Sequence, residues 1–162
     1  MEINMAKLQI VKEGDPLLSK KSRAVEEITP RILTLLDDMT ETMRAANGCG
    51  LAAVQVGVLR RIVVIEVEEG NLLELINPEI IYAEGEQENV EGCLSVPGKW
   101  GITHRPAKVR VRAMNRKGKI VEYEGEELLA RCFCHELDHL DGKLFIDEEN
   151  LVRMLDPDEI EQ

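Results

Sequence analysis

The chain has 162 residues and a mass of 18.3 kDa, the size of one domain, and a globular chain of this length buries roughly 70% of its unfolded surface without needing disulfide or metal staples. Its net charge of -11, from 31 Asp+Glu against 20 Lys+Arg, repels phosphate and disfavours a nucleic-acid-binding module that works by electrostatic attraction. With 44% apolar residues but only 3% aromatic ones, the core must be mostly Leu, Ile and Val.

Residues 1–10 lack a basic start followed by a long apolar stretch, so no secretory peptide is expected. Apolar runs such as Ile62-Val63-Val64-Ile65 are far below a membrane span. The expected location is the cytoplasm. There the four cysteines (Cys49, Cys93, Cys132, Cys134) read as reduced thiols or metal ligands, and any one of them also fits a small buried hydrophobe. No linker or repeat divides the chain, so residues 1–162 read as one domain.

The first helix signal is Thr29-Pro30, a capping side chain followed by a proline that suits the first turn. Ile32, Leu35, Leu36, Met39 and Met43 follow at helical spacing, and Asn47-Gly48 ends the helix. The next stretch, Gly48-Cys49-Gly50-Leu51-Ala52-Ala53-Val54-Gln55, has too much glycine for a good helix and too few polar residues for an exposed loop. Strands are predicted over 61–67, 72–76 and 79–83, the last two flanking Asn77-Pro78. Residues 108–114 and 120–123 form a hairpin about Arg116-Lys117-Gly118. Residues 102–106 read as a loop leading into a strand. A second helix spans about 126–140, stopped near Gly142, and 147–162 is an acidic tail predicted as a short helix with a loose end. Helices at either end of a central antiparallel region make the fold class α+β.

The strongest chemical signal is His135-Glu136-Leu137-Asp138-His139. On a helix, residues four apart lie on one face about 5–6 Å apart, so both imidazoles can reach one metal ion while Glu136 leans toward a water as its base. The same five residues also fit a solvated or core-satisfied face. Two ligands need a third, and Glu91-Gly92-Cys93-Leu94-Ser95 offers a thiol beside a glycine. A Cys-His-His set leaves one position open, the mark of a catalytic site, and by ligand type alone reads as zinc. His104 reads as solvent-facing. Arg105 is a candidate to pair with Glu91 or Asp138 and tie the metal-bearing segments together. Trp100 fits either the flank of a bound peptide or core packing.

Together, Gly48–Gln55, Glu91–Ser95 and His135–His139 resemble, in order, the three motifs of bacterial peptide deformylases. Gly14-Asp15-Pro16, Asn77-Pro78 and Gly142-Lys143-Leu144-Phe145 add to a similarity running from about residue 5, so the family-like register begins near Met5. The resemblance implies antiparallel sheets packed around a C-terminal helix that carries the His-Glu-x-x-His motif. It implies Cys93, His135 and His139 as metal ligands, Glu136 as acid–base, and Gln55 with the backbone N–H of Leu94 as the oxyanion donors. It also implies Gly50 as the point where substrate backbone passes, and Cys49, Leu128 and Cys132 as walls of a methionine pocket, although Leu128 and Cys132 equally describe a core face. An oriented amide such as Gln55 is worth on the order of 3 kcal/mol to a developing oxyanion.

The implied activity is removal of the formyl group from N-formylmethionine of nascent proteins, with Fe2+ as the metal and Zn2+, Ni2+ or Co2+ as substitutes. A zincin-like peptidase needs a ligand downstream of His139, and a binding module without turnover needs neither Glu136 nor Gln55; both stay open on the residues alone. Three features depart from the family. Cys134 replaces the usual Gln and is expected to change packing around the ligands. Arg131 replaces an apolar residue at the pocket rim. The basic C-terminal helix with which some members dock on the ribosome is replaced by acids, so any ribosome contact must use another route.

Overall fold

The computed structural model describes residues 7–147 and 149–160; Met5, where the family-like register begins, lies outside them. Helix α1 (Pro30–Ala45) starts as its sequence dictates, with Thr29 Oγ1 accepting the Ile32 N–H at 3.3 Å and Pro30 at the first position. Its stripe of Leu36, Met39 and Met43 is fully buried. Strands β1 (Gly50–Ala52) and β2 (Ile62–Ile65) follow, then β3 (Leu73–Glu84), β4 (Gln87–Cys93) and β5 (Val96–Arg105). The chain finishes with β6 (Lys108–Met114), β7 (Ile120–Glu126), α2 (Leu128–Leu140), β8 (Leu151–Met154) and the short α3 (Pro157–Ile160). Pairing is antiparallel throughout, in a five-stranded sheet of order β1-β2-β3-β6-β7 and a three-stranded sheet of order β4-β5-β8.

The unbroken apolar run of β2 has a simple cause. Successive side chains of a strand point to opposite faces, and both faces of this strand are covered. Ile62 and Val64 join Leu36, Met39 and Met43 of α1 in one core cluster. Val63 and Ile65 join Leu75, Val111, Ala130, Phe133 and Leu140 in the other, where α2 packs. Apolar burial on two sides fixes α2 against the sheet, and this places its His-Glu-x-x-His segment. None of the helices among the described residues is long and apolar enough to cross a membrane.

Four expectations are corrected. The two strands about Asn77-Pro78 are one strand, β3, with a bulge between Ile76 and Glu79. Asn77 adopts φ 52°, which Asn tolerates, and Pro78 needs no ladder partner there. Residues 102–105 belong to β5 rather than to a loop, and β4 precedes it; glycines and charges hide both strands from a reading of alternation. Helix α2 starts at Leu128 because β7 runs on to Glu126, beyond the 120–123 predicted. The acidic tail contains β8, whose Arg153 pairs with Ile102 and Met154 with Gly101, before the short helix α3.

The Asn77 side chain ties the bulge to Val25, accepting the Val25 N–H and donating to the Val25 carbonyl, both at 2.8 Å. Asn77→Ala removes both bonds and leaves a part-buried donor and acceptor unmatched. A loss of about 2 kcal/mol in urea denaturation is expected, with an unchanged slope.

Candidate active site

Helix α2 and the β4–β5 hairpin face one another across a cleft of about 440 Å³. Cys93 ends β4 just past a register shift, an irregularity that re-aims the thiol toward α2. Its Sγ lies 3.3 Å from His139 Nε2, and that nitrogen lies 3.3 Å from His135 Nε2. The three donor atoms fall within 4.8 Å of one another. Lone pairs converging this closely repel unless protons or a cation lie between them, and thiolate with imidazole suits a borderline-soft divalent ion. The residues fit a metal.

Behind these atoms lies a carboxylate network. His135 Nδ1 donates to Glu91 Oε2 at 2.9 Å, which turns Nε2 toward the cluster. Glu91 also accepts from Arg105 Nη2 at 2.7 Å and from Thr103 Oγ1 at 3.1 Å. Arg105 Nη1 continues to Asp138 Oδ2 at 2.6 Å. Arg105 therefore pairs with both candidates rather than with one, joining β4, β5 and α2.

The electrostatics follow from burial and these contacts. Burial pushes the Glu91 carboxyl up, but the bonds from His135 and Arg105 overcome it and hold it down at about 2. Burial pulls both imidazoles down. At His135 the charge of Glu136 and the bonds to Cys93 and Glu91 outweigh it and hold the ring well above its ordinary value. His139 stays well below, by burial and by the neighbouring charge of His135. Burial raises Glu136 to about 8, and its Oε1 is buried without a hydrogen-bond partner. The Cys132 bond favours the Cys49 thiolate, bringing that thiol down to about 7, while Cys132 holds its own proton tightly.

The other sequence-selected residues gather here too. Cys49, Gly50, Gln55, Leu94, Leu128 and Cys132 all line the cleft. Gln55 is held at both ends: Oε1 accepts the Ala52 N–H at 2.9 Å, and Nε2 donates to Ser95 Oγ at 3.1 Å while lying 3.6 Å from Cys93 Sγ. Gly50 has a tighter reason to be glycine than passage of a substrate, since a Cβ there would lie 2.6 Å from Glu136 Oε2. Leu128 stands at the rim, 41% exposed, and Arg131 donates to the Val90 carbonyl at 3.0 Å. Cys134 packs into the core cluster. Trp100 is not core: it borders the cleft, its ring occupying the space a Gly92 side chain would need. His104 faces solvent between Glu86 and Glu88, 3.6 Å from each. Sequence reasoning passed over Ser95, which fixes the Gln55 amide, and the bond from Glu91 to His135. No local signal pointed to the Glu91–His135 bond, because a register shift separates Glu91 from Cys93 and breaks the alternation of faces.

Removing Arg105 strands the Glu91 carboxylate in the protein interior. Arg105→Ala is expected to cost about 3–5 kcal/mol in chemical denaturation and to weaken zinc binding by roughly 10–100-fold in competition with a chelating dye. A double variant with Glu91→Gln should lose less than the two single variants summed.

A family model described as polypeptide deformylase matches residues 7–154. The chain is 57% identical over 157 residues to a peptide deformylase of Caldanaerobacter subterraneus, an alignment that covers 97% of each chain. It is 58% identical over 158 residues to one of Acetivibrio thermocellus, covering 98% of this chain and 91% of that one. Among solved structures, a peptide deformylase from Legionella pneumophila superposes with a TM-score of 0.86 at 44% identity, covering 94% of this chain and 88% of its own. One from Ehrlichia chaffeensis in complex with actinonin superposes at 0.85 and 41%, with 87% of each covered. By sequence over nearly its full length and by fold, the chain belongs to the peptide deformylase family.

Proposed function

We propose that this protein is a metal-dependent hydrolase of the cytoplasm that removes the formyl group from N-formylmethionine at the start of newly synthesised proteins, releasing formate. The observation that carries this reading is the convergence of Cys93 Sγ with the Nε2 atoms of His135 and His139 beside the unpartnered, buried Oε1 of Glu136. Residues 1–162 act as one domain, and the substrate is the end of a nascent peptide rather than RNA or a membrane.

Cys93, His135 and His139 would hold the ion, which when bound polarises the scissile carbonyl and acidifies water. Glu136 takes the proton of the attacking water on its free carboxyl oxygen and passes it to the leaving amine nitrogen, leaving a free N-terminus. As negative charge grows on the formyl oxygen, the Gln55 amide and the Leu94 N–H donate to it. Gln55 is already oriented by Ala52 and Ser95, so little reorganisation is needed in the transition state. A formyl carbon bears only hydrogen, and close walls about it would reject acetyl by steric clash. Cys49 and Cys132 with Leu128 flank the methionine side chain, and Gly50 keeps Glu136 clear. Support for this reading over a zincin-like peptidase comes from the donor set: the cluster among the described residues takes its third member from upstream, in Cys93, and none from beyond His139. Fe2+ is the proposed native ion, with Zn2+, Ni2+ or Co2+ able to replace it. Any approach to the ribosome avoids the acidic C-terminal end.

Protein prepared anaerobically with Fe2+ should release formate from a formyl-Met tripeptide and none from the acetyl-Met counterpart, and actinonin should inhibit it. Failure to turn over the formyl peptide with metal bound would remove this assignment. Glu136→Gln should abolish turnover while metal and peptide still bind, and Gln55→Ala should lower kcat by roughly 100- to 1000-fold. On aeration the Fe2+ form should lose activity faster than the Ni2+ form, because iron and its thiolate ligand are both open to oxidation. Equal decay rates would count against iron.

A further inference from the structure

Two sulfurs in the cleft lie outside the metal-ligand set. Cys49 Sγ and Cys132 Sγ approach to 3.1 Å, closer than the roughly 3.5–4.0 Å at which even carbon atoms pack. Both are free thiols. They come from separate elements, 83 positions apart in sequence: Cys49 precedes β1, and Cys132 lies in the second turn of α2. A disulfide requires a sulfur separation of about 2.05 Å, so about 1 Å of closure would join them. Cys132 is held in the core by the packing of α2, whereas Cys49 is exposed and flanked by two glycines, Gly48 and Gly50. The reachable sulfur thus faces the buried one.

We propose that Cys49 and Cys132 form a reversible disulfide, with a peroxide as oxidant, and that this bond takes the substrate side-chain pocket out of use. The bond itself rests on the pair alone; its effect on substrate rests on the function proposed above. The Cys49 thiolate attacks one oxygen of hydrogen peroxide, forming an S–O bond and breaking the O–O bond, and the hydroxide released takes up a proton to give water. Cys132 sulfur then attacks the Cys49 sulfenic acid, forming the S–S bond and breaking S–O, and the Cys132 proton leaves with that hydroxide as a second water. The two sulfurs lose two electrons and the peroxide gains them. A dithiol reverses the reaction by exchange. Disulfides of this kind in reducing compartments are typically transient and redox-sensing.

Closure also acts beyond the pocket wall. Gly50 follows Cys49 directly and is in tight contact with Glu136, where a Cβ would already lie 2.6 Å from the carboxyl oxygen. Drawing Cys49 toward α2 therefore shifts the backbone that borders the proton-transferring carboxyl.

The test uses the nickel-loaded full chain, exposed to hydrogen peroxide, blocked with iodoacetamide and digested without reductant. A cross-linked peptide pair containing Cys49 and Cys132 is expected, and the oxidised chain weighed before alkylation should be lighter by about 2 Da, the two thiol hydrogens lost. A loss in kcat/KM for the formyl-Met tripeptide of at least roughly tenfold should accompany it, as for a damaged apolar pocket, and dithiothreitol should restore both. Cys49→Ala should give no linked pair and should keep, after peroxide, the same activity it shows untreated. Full alkylation of Cys49 and Cys132 after peroxide, with oxygen gained at Cys93 instead, would overturn the proposal. A linked pair with unchanged kcat/KM would overturn the pocket closure. If the reduced nickel form shows no turnover of formyl-Met peptide, the functional assignment fails, and the linked pair still decides for or against the disulfide.

Discussion

A guanidinium that is only 2% exposed cannot be left without carboxylates, and the geometry around Arg105 follows from that constraint. One edge grips Glu91 through two nitrogens and another nitrogen reaches Asp138. Glu91 belongs to β4, Arg105 to β5 and Asp138 to α2, so a single charged group sets the distance between the hairpin and the helix. The candidate donors sit within a few residues of these anchors: Cys93 lies two positions from Glu91, and Asp138 lies between His135 and His139. Apolar packing brings α2 to the five-stranded sheet, where its partners include Val63, Ile65, Leu75 and Val111. It does not bring the β4–β5 hairpin into register with the helix. That alignment is ionic, and it is sharp because bidentate pairing tolerates little displacement.

Glu91 has a second task in the same geometry. It bonds His135 on one side and Arg105 on the other, and these two bonds hold the carboxylate ionised and able to orient the imidazole. Gln55 is arranged by the same logic without charge, its two amide ends held by Ala52 and Ser95. His135 and Gln55 are thus each positioned by fixed protein partners. Glu136 differs from them in having one buried carboxyl oxygen unmatched by the protein, as suits a group whose partner arrives with the reaction.

Legibility in the sequence divides along physical lines. Helix α1 could be read almost to the residue, since Thr29, Pro30 and the stripe at Leu36, Met39 and Met43 are local signals acting on their own neighbourhood. The five-residue His-Glu-x-x-His spacing was equally local. Strands β4 and β5 were not legible, because Gly92, Gly98 and Gly101 with scattered charges carry no alternation; their stability comes from pairing with each other and from Trp100 covering Gly92. Strand β8 was hidden by its acidic surroundings for the same reason. Cys93 could be offered as a third ligand only because the other two lacked one, and its role rested on resemblance. The pairing of Arg105 with both Glu91 and Asp138 is tertiary, and no spacing along the chain encodes it.

The lateness of β8 in the chain has a consequence for the order of assembly. Its residues 151–154 pair along the edge of β5, and the adjoining Asn150 accepts the His104 N–H and donates to Asp138 Oδ2 at 3.4 Å. A ribosome makes this segment after every other strand. The sheet that carries Cys93 therefore keeps an open edge until residues 151–154 clear the exit tunnel, and Asp138 gains its bond from Asn150 only at that stage. Vectorial synthesis thus defers the completed three-stranded sheet until after every residue that lines the cleft has been made.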